Sequence, residues 1–249
     1  MNGILYFSST GNSLYIAKRL QERLGGEIYY IPKYQRDGSE FEKLFLVTPV
    51  YSYGMPSHVY DLLPRLNKSK EIIIIQNYGG MSGGADYLIY LYALKCGLNI
   101  ASVYKMQMPE NYTLTFTVPQ FYLKGILKKA DGRIDAIIDK IQNRNYEIPR
   151  KRAVKEAKYL KNKSDWHLIT RDFSTNGDCI KCGKCAAVCP TQNISVSRDG
   201  VVFSDKCVAC LGCYHRCPQK AIIYKNKLKK DRYVNPNIDE EQIGKDILK

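Results

Sequence analysis

The segment Cys179-Ile-Lys-Cys182-Gly-Lys-Cys185-Ala-Ala-Val-Cys189-Pro190 decides the fold of the carboxyl-terminal part of this chain. The same spacing returns further along as Cys207-Val-Ala-Cys210-Leu-Gly-Cys213-Tyr-His-Arg-Cys217-Pro218. These two segments hold eight of the nine cysteines of the 249-residue chain, and the ninth is Cys96. Two copies in register, each ending in Cys-Pro, indicate an internal duplication.

The spacing C-x2-C-x2-C-x3-C-P is the 4Fe-4S run of bacterial ferredoxins, in which the fourth cysteine of each copy ligates the other copy's cluster. By this rule one cluster takes Cys179, Cys182, Cys185 and Cys217, and the other takes Cys207, Cys210, Cys213 and Cys189. Structural zinc is the alternative, but zinc sites usually take two cysteine pairs and need no third cysteine two residues on. Residues 172–225 therefore resemble the two-cluster ferredoxins, with a predicted strand, turn and strand between the two cysteine segments.

The first two thirds of the chain alternate short apolar segments with longer segments of helical period. The predicted strands are Gly3 to Phe7, Ile28 to Ile31, Lys43 to Thr48, Glu71 to Gln76 and Ile100 to Lys105. A first helix from Ser13 would place Leu14, Ala17, Leu20 and Leu24 on one face, which is typical of a helix packed on a sheet. This order predicts an α/β domain with a doubly wound, five-stranded parallel sheet.

A loop rich in hydroxyl groups joins the first strand to the first helix. It consists of Ser8, Ser9, Thr10, Gly11, Asn12 and Ser13. Backbone N–H groups at a helix amino terminus bind anions, so the loop suits a phosphate; the alternative is an ordinary N-cap, which the same residue types favour. The loop lacks the spacing of a nucleoside triphosphate or dinucleotide loop. It resembles the FMN phosphate loop of flavodoxins.

The loops after the third and fourth strands strengthen that resemblance, because ligands of doubly wound sheets bind at the carboxyl ends of the strands. Flavodoxins place their two ring-binding loops at these positions. The resemblance implies FMN contacts from Pro49, Tyr51, Tyr53 and Gly54 in one loop and Asn77, Tyr78, Gly79 and Gly80 in the other. In a chain with 20 tyrosines, surface positions for Tyr51 and Tyr53 are the alternative. Residues 108–112 form a weaker candidate for a third loop at the same edge.

Taken as a whole, the chain resembles the flavodoxin-ferredoxin fusion proteins of bacteria and archaea. The predicted parts are an FMN-binding domain at 1–148, a basic linker at 149–171, a two-cluster domain at 172–225 and an extension at 226–249. The resemblance implies one FMN, two 4Fe-4S clusters and electron transfer between redox partners in anaerobic metabolism. A flavin-dependent reductase of an organic substrate, fed through the clusters, is the alternative. No acid–base pair stands out in the flavin loops, which favours the relay.

Charge is concentrated in one part of the chain. The formal net charge is +14, and residues 124–163 hold 13 Lys or Arg against 5 Asp or Glu. This excess indicates a solvated helical surface, a docking site for an acidic redox partner, or nucleic-acid binding; no nucleic-acid motif supports the last, so we expect none.

Two features bear on the compartment. A short apolar start without basic residues predicts no secretion signal, and no apolar run reaches the length of a membrane helix. Because the cytosol keeps thiols reduced, the cysteines favour metal or redox chemistry over disulfides. We therefore expect a cytoplasmic protein without an integral membrane segment. Cys96 lies on a predicted helical stripe and is expected to be a small buried residue.

Overall fold

The computed structural model describes residues 1–115, 117–227 and 231–248, so residues 228–230 and 249 of the predicted extension lie outside the described residues. Five parallel strands form the main sheet in the order β2-β1-β3-β4-β5. They are β1 (Asn2–Tyr6), β2 (Glu27–Tyr30), β3 (Lys43–Pro49), β4 (Glu71–Tyr78) and β5 (Asn99–Gln107). This is the flavodoxin-like order, with its switch point between β1 and β3. The predicted fold class is confirmed.

Helices cover both faces of the sheet. They are α1 (Asn12–Leu24), α2 (Ser57–Leu62), α3 (Ala85–Lys95), α4 (Gln120–Lys128) and α5 (Ala130–Gln142). Helix α1 contacts α5 through ion pairs such as Arg19 to Asp135 at 2.7 Å. Helices α2 and α3 meet through the stacked rings of Tyr60 and Tyr92, 4.1 Å apart. Cys96 follows α3 and is half-buried, and burial raises the pKa of its thiol.

The centre of the sheet is dry, as its sequence requires. All four isoleucines at 72–75 are fully buried, because strands covered by helices on both faces bury both sets of alternating side chains. The strand ends therefore carry the polar residues, and the carboxyl ends of β1, β3, β4 and β5 lie at one edge of the sheet. That edge positions the candidate site.

The cysteine-rich part repeats its structure as well as its sequence. Its elements are β6 (Phe173–Thr175), α7 (Lys184–Ala187), β7 (Ile194–Val196), β8 (Val201–Phe203), α8 (Gly212–His215) and β9 (Ile222–Tyr224). Helices α7 and α8 occupy equivalent positions in the two copies, and so do β7 and β9. Left-handed backbone also recurs at equivalent positions, at Lys181 and Ala209, Gly183 and Leu211, and Gln192 and Lys220. The predicted duplication thus extends to backbone conformation, and β7 pairs with β8 as the predicted strand-turn-strand.

Two further segments pack on the flavodoxin-like domain. Helix α6 (Glu156–Asp165) lies within the predicted basic linker and buries Tyr159, whose hydroxyl donates to Met55 O at 3.0 Å. The carboxyl-terminal segment 231–248, called the tail below, returns to the sheet, where Ile247 bridges to Ile28 on the edge strand β2. Among the described residues, no helix is both long enough and apolar enough to cross a membrane.

Candidate functional site

A small polar pocket lies where the hydroxyl loop meets the ends of β3, β4 and β5, and we call it the hydroxyl pocket. Its lining includes Ser8, Ser9, Thr10, Asn12, Ser13, Pro49, Asn77, Tyr78 and Gly79. The loop residues are buried, so the pocket that they line is shielded from bulk water. Asn77 Nδ2 donates to Ser13 Oγ at 2.8 Å, which ties the loop to the end of β4. The structure thus brings together loop residues that the sequence separates widely.

The first turn of α1 is built to accept an anion. Gly11 precedes the helix with φ +95°, and no side chain caps the helix, although the loop is rich in residues that cap well. The Ser8 hydroxyl accepts from Gly11 N at 2.9 Å, upstream of the helix. An uncapped helix start leaves its N–H groups and the positive end of its dipole for a ligand. This geometry fits a phosphate group.

Next to the hydroxyl pocket lies a cavity of about 740 Å³, which we call the aromatic cavity. Tyr51, Tyr53, Tyr78, Gly79 and Gly80 line it, as do Trp166, Leu211 and Tyr224. Tyr78 and Gly79 line both spaces, so the two lie side by side. A volume between about 300 and 1,000 Å³ is typical of a small-molecule site.

A strained turn presents the two tyrosines. Tyr51 and Gly54 exchange backbone hydrogen bonds, and the two residues between them have positive φ, 49° at Ser52 and 69° at Tyr53. Such a turn normally takes Asn and Gly, so non-glycine residues here store strain of the kind found at ligand sites. The Tyr51 ring contacts Trp166 edge-on at 6.1 Å, and Lys155 Nζ lies 4.3 Å from the centre of the Tyr53 ring.

Two of the predicted flavin residues, Gly11 and Gly54, do not line either space. Gly11 faces Asn235 of the tail, and a methyl group added to it would lie 3.1 Å from the Asn235 Cβ. Gly54 packs against Tyr159, whose ring a side chain at 54 would overlap. Both glycines therefore allow close packing behind the site.

One wall of the aromatic cavity consists of residues that the sequence did not point to. Trp166, Ile169 and Asp172 come from the linker and the turn after it, and Leu211 comes from the cysteine-rich domain. These residues lie far along the chain from the two flavin loops, so the sequence gives no sign that they line the cavity. The one usable signal is that the chain's single tryptophan lies just before the second domain. Glu110, from the weaker third loop, also lines the cavity and accepts from Gly80 N at 3.2 Å.

The eight cysteines of the repeat line two separate cavities. The first cysteine cavity contains Cys179, Cys182, Cys185 and Cys217, and the second contains Cys189, Cys207, Cys210 and Cys213. Each set takes its fourth cysteine from the other copy, which is the exchange expected from the spacing. Within the described residues, no group of three or more His, Cys, Asp or Glu could hold a single metal ion, and the eight cysteines instead line two cavities.

The electrostatics of the thiols reflect the same grouping. Burial raises the pKa of the Cys210 thiol to about 12, and the neighbouring Cys207 and Cys189 add to the shift. Burial also raises the pKa of Cys185, with contributions from Cys217 and Cys179. Buried thiols with raised pKa values need a strong positive centre to become thiolates. This requirement fits an iron–sulfur cluster.

Backbone donors approach the sulfurs in both copies. Asn193 N donates to Cys189 Sγ at 3.2 Å, and Ala221 N donates to Cys217 Sγ at 3.3 Å, again at equivalent positions of the repeat. Such bonds stabilise thiolate ligands and help to set the potential of a cluster. Exposure distinguishes the two cavities, since Cys182 is exposed while Cys210 is buried.

Comparison with known proteins agrees with this geometry for the cysteine-rich part. Residues 178–222 match the family described as 4Fe-4S dicluster domain. The chain is 34% identical over 65 residues to the pyruvate synthase subunit PorD of Methanocaldococcus jannaschii, covering 25% of this chain and 76% of that protein. It is 44% identical over 45 residues to the polyferredoxin protein MvhB of Methanothermus fervidus, 18% of this chain and 11% of that protein. The chain thus spans about a tenth of that polyferredoxin.

Among solved structures, flavodoxins resemble the amino-terminal part. A Fusobacterium nucleatum flavodoxin bound to flavin mononucleotide has 16% identity and a TM-score of 0.42, covering 59% of this chain and 98% of the flavodoxin. A flavodoxin from the domain Archaea has 16% identity and a TM-score of 0.38, covering 56% and 99%. The fold assignment itself rests on the strand order of the sheet.

The fold and the cysteine cavities define a class of protein in which a flavodoxin-like domain is joined to a ferredoxin-like domain. The chain belongs to the 4Fe-4S dicluster family, and it carries that domain behind a flavodoxin-like domain. The eight cysteines of the dicluster domain support two 4Fe-4S clusters. Domains of both kinds are associated with electron transfer.

Proposed function

We propose that this protein transfers electrons between redox partners through one FMN and two 4Fe-4S clusters. The observation that carries the proposal is Leu211, which lines both the aromatic cavity and the second cysteine cavity. A flavin exchanges one or two electrons while a cluster exchanges one, so adjacent centres would divide a two-electron couple into single steps.

The FMN assignment is supported by the lining residues that the hydroxyl pocket and the aromatic cavity share. The uncapped start of α1 and the buried hydroxyls would hold the phosphate. Tyr51 and Tyr53 would contact the ring, while the backbone of Gly79 and Gly80 can approach its polar edge because neither residue has a side chain. Glu110, held by Gly80 N, would fix the position of that loop.

The order of the centres follows from exposure and shared walls. The second cysteine cavity adjoins the flavin site through Leu211, and Ser9 of the hydroxyl loop lies against Gly212, next to that residue. The first cysteine cavity shares no lining residue with the aromatic cavity, within the parts of the chain that the structure describes. Ile180, beside its first cysteine, is 63% exposed. We therefore place the first cluster toward the external partner and the second toward the flavin.

An acidic redox protein is the partner that the charge favours. The formal net charge is +14, and opposite charge speeds the encounter of redox proteins. Salt-sensitive reduction of the protein by an acidic ferredoxin would support this part of the proposal, and reduction independent of ionic strength would contradict it.

Reduction of an organic substrate at the flavin is the second candidate, and the aromatic cavity gives it specific support. Lys158, Asp165 and Asp172 line this cavity together with Glu110, so titratable groups face the space where a substrate could lie. These groups come from the third loop, the linker and the turn after it. They lie outside the two flavin loops, in which no acid–base pair stands out. Turnover that saturates with substrate and is lost in Glu110→Gln would favour this candidate.

The first test is anaerobic purification with quantitation of iron, sulfide and flavin. We expect about eight irons and one FMN per chain, as two four-iron clusters and one flavin require. About four irons, or bound zinc in place of iron, would overturn the cluster assignment. Absence of FMN from the purified protein, together with failure to bind added FMN, would overturn the flavin assignment.

The order of the centres is tested with Cys182→Ala and Cys210→Ala, each of which removes a ligand from one cysteine cavity. We expect both variants to slow flavin reduction by a ferredoxin at least tenfold, while dithionite still reduces the flavin directly. Cys96→Ala is the matched control, because Cys96 lies outside the repeat. Unchanged flavin reduction by ferredoxin in Cys182→Ala would contradict an entry point at the first cluster.

A further inference from the structure

The tail contacts the hydroxyl loop through buried hydrogen bonds. Asn12, the first residue of α1, is only 5% exposed. Its Oδ1 accepts from Tyr233 OH at 2.6 Å and from Asn235 Nδ2 at 3.1 Å. Its Nδ2 donates to Pro109 O at 3.0 Å, at the end of β5. The Asn12 side chain is therefore held by the tail and does not cap its own helix.

The tail also fixes the backbone of the loop. Asn235 is fully buried, and its N–H donates to Thr10 O at 2.8 Å. Asn111 Nδ2 donates to Thr10 Oγ1 at 3.2 Å, so the side chain of Thr10 is held as well as its backbone. Burial makes these bonds costly to lose, because a buried group without a partner keeps its full desolvation penalty.

A histidine joins this network to the cysteine-rich domain. Tyr233 N donates to His215 Nδ1 at 3.2 Å, so Nδ1 carries no proton and Nε2 is the donor. His215 Nε2 therefore donates to Asn111 O, at 2.6 Å. The tail thus lies between α8 of the cluster domain and the loop at the start of α1, in contact with both.

We propose that Tyr233 and Asn235 are positioning residues for the phosphate of the flavin nucleotide. They act through Asn12 and Thr10, and they hold the uncapped helix start in the shape that binds an anion. The inference rests on the proposed FMN function. It assigns to the tail, near the carboxyl terminus, a part of the nucleotide site whose loop lies near the amino terminus.

The phosphate specificity of this role gives it a distinctive readout. FMN and riboflavin share the ring and differ in the phosphate, so the ratio of their affinities reports on the hydroxyl loop alone. In the full-length protein with its clusters loaded and its flavin removed, we expect Tyr233→Phe to weaken FMN binding about fivefold, the value of one hydrogen bond. Tyr233→Phe combined with Asn235→Ala is expected to weaken it more than tenfold. Riboflavin affinity should change less than twofold.

Tyr104→Phe is the matched control. Tyr104 is also buried and its hydroxyl donates to a backbone carbonyl, that of Asn145 at 3.0 Å, but it lies away from the hydroxyl loop. We expect this variant to keep the FMN-to-riboflavin affinity ratio of the wild type. Equal weakening of both flavins in the tail variants, or no weakening of either, would overturn the positioning role while FMN binding by the wild type still supports the proposed function. Wild-type protein that binds neither flavin would overturn both.

Discussion

Replacing Tyr6 by phenylalanine should weaken the attachment of the tail to the sheet. Tyr6 lies in β1 and is fully buried. Its hydroxyl accepts from Gly244 N at 2.9 Å and donates toward Lys245 O at 2.9 Å, with Gln242 O at 3.3 Å. The substitution keeps the ring and removes only these contacts. Any effect therefore reports on the attachment of the tail.

The expected size of the effect comes from the groups left behind. Tyr6→Phe leaves the Gly244 N–H and the Lys245 carbonyl without their partner, and a buried unsatisfied group costs about 1–3 kcal/mol. We expect a loss of about 2 kcal/mol in the local stability of the tail. A change of this size raises the population of the open state about 30-fold.

Hydrogen exchange measures that opening directly. Between β2 and the tail, Ile28 N donates to Ile247 O at 3.0 Å and Ile247 N donates to Ile28 O at 2.8 Å. The substitution at Tyr6 leaves both of these amides in place, so they can report on the opening of the tail. We expect both to exchange about 30-fold faster in Tyr6→Phe, while Tyr87→Phe, a change on α3, leaves them unaffected. Wild-type exchange rates at Ile28 and Ile247 in Tyr6→Phe would refute the docking of the tail through this hydroxyl.

Three further predictions concern the loops, the core and the alkaline limit of stability. Gly79→Ala places a methyl group on the Glu110 carboxylate, and we expect FMN affinity to fall about tenfold in a fluorescence titration, since the loop must shift. Gly3→Ala overlaps the buried ring of Phe41, which should cost about 1–3 kcal/mol in urea unfolding; unchanged stability would contradict the packing. Burial raises the pKa of Tyr6 above its usual 10.0, so above about pH 10 the unfolded chain loses this proton while the folded chain keeps it. Stability should therefore fall as pH rises beyond 10, and less steeply in Tyr6→Phe.

The sequence predicted the sheet because its signals are local. Four consecutive isoleucines at 72–75 favour a strand that is buried on both faces, whatever lies elsewhere in the chain. All five predicted strands begin and end within one or two residues of the observed strands. The cysteine spacing also acts locally, because three cysteines spaced by two residues place their sulfurs around one loop. The repeat extends beyond the cysteines to the backbone, because Lys181 and Ala209, at equivalent positions of the two copies, both have left-handed backbone conformations.

The candidate site was predictable only in part. Loop residues of the hydroxyl pocket share one short segment, so their grouping follows from the chain itself. The wall formed by Trp166, Ile169 and Leu211 depends on how the second domain packs against the first. No periodicity or propensity carries that information, since the contacts join residues that lie far apart along the chain.

The sequence by itself determined the five-stranded sheet and the cysteine repeat, and it predicted an anion-binding first loop, because each depends on close neighbours in the chain or on an internal copy. The tertiary structure decided which cysteine cavity adjoins the aromatic cavity, and it brought Tyr233 and Asn235 onto Asn12. These relations arise from burial between domains and from hydrogen bonds that join the two ends of the chain. They exist only once the whole chain has packed.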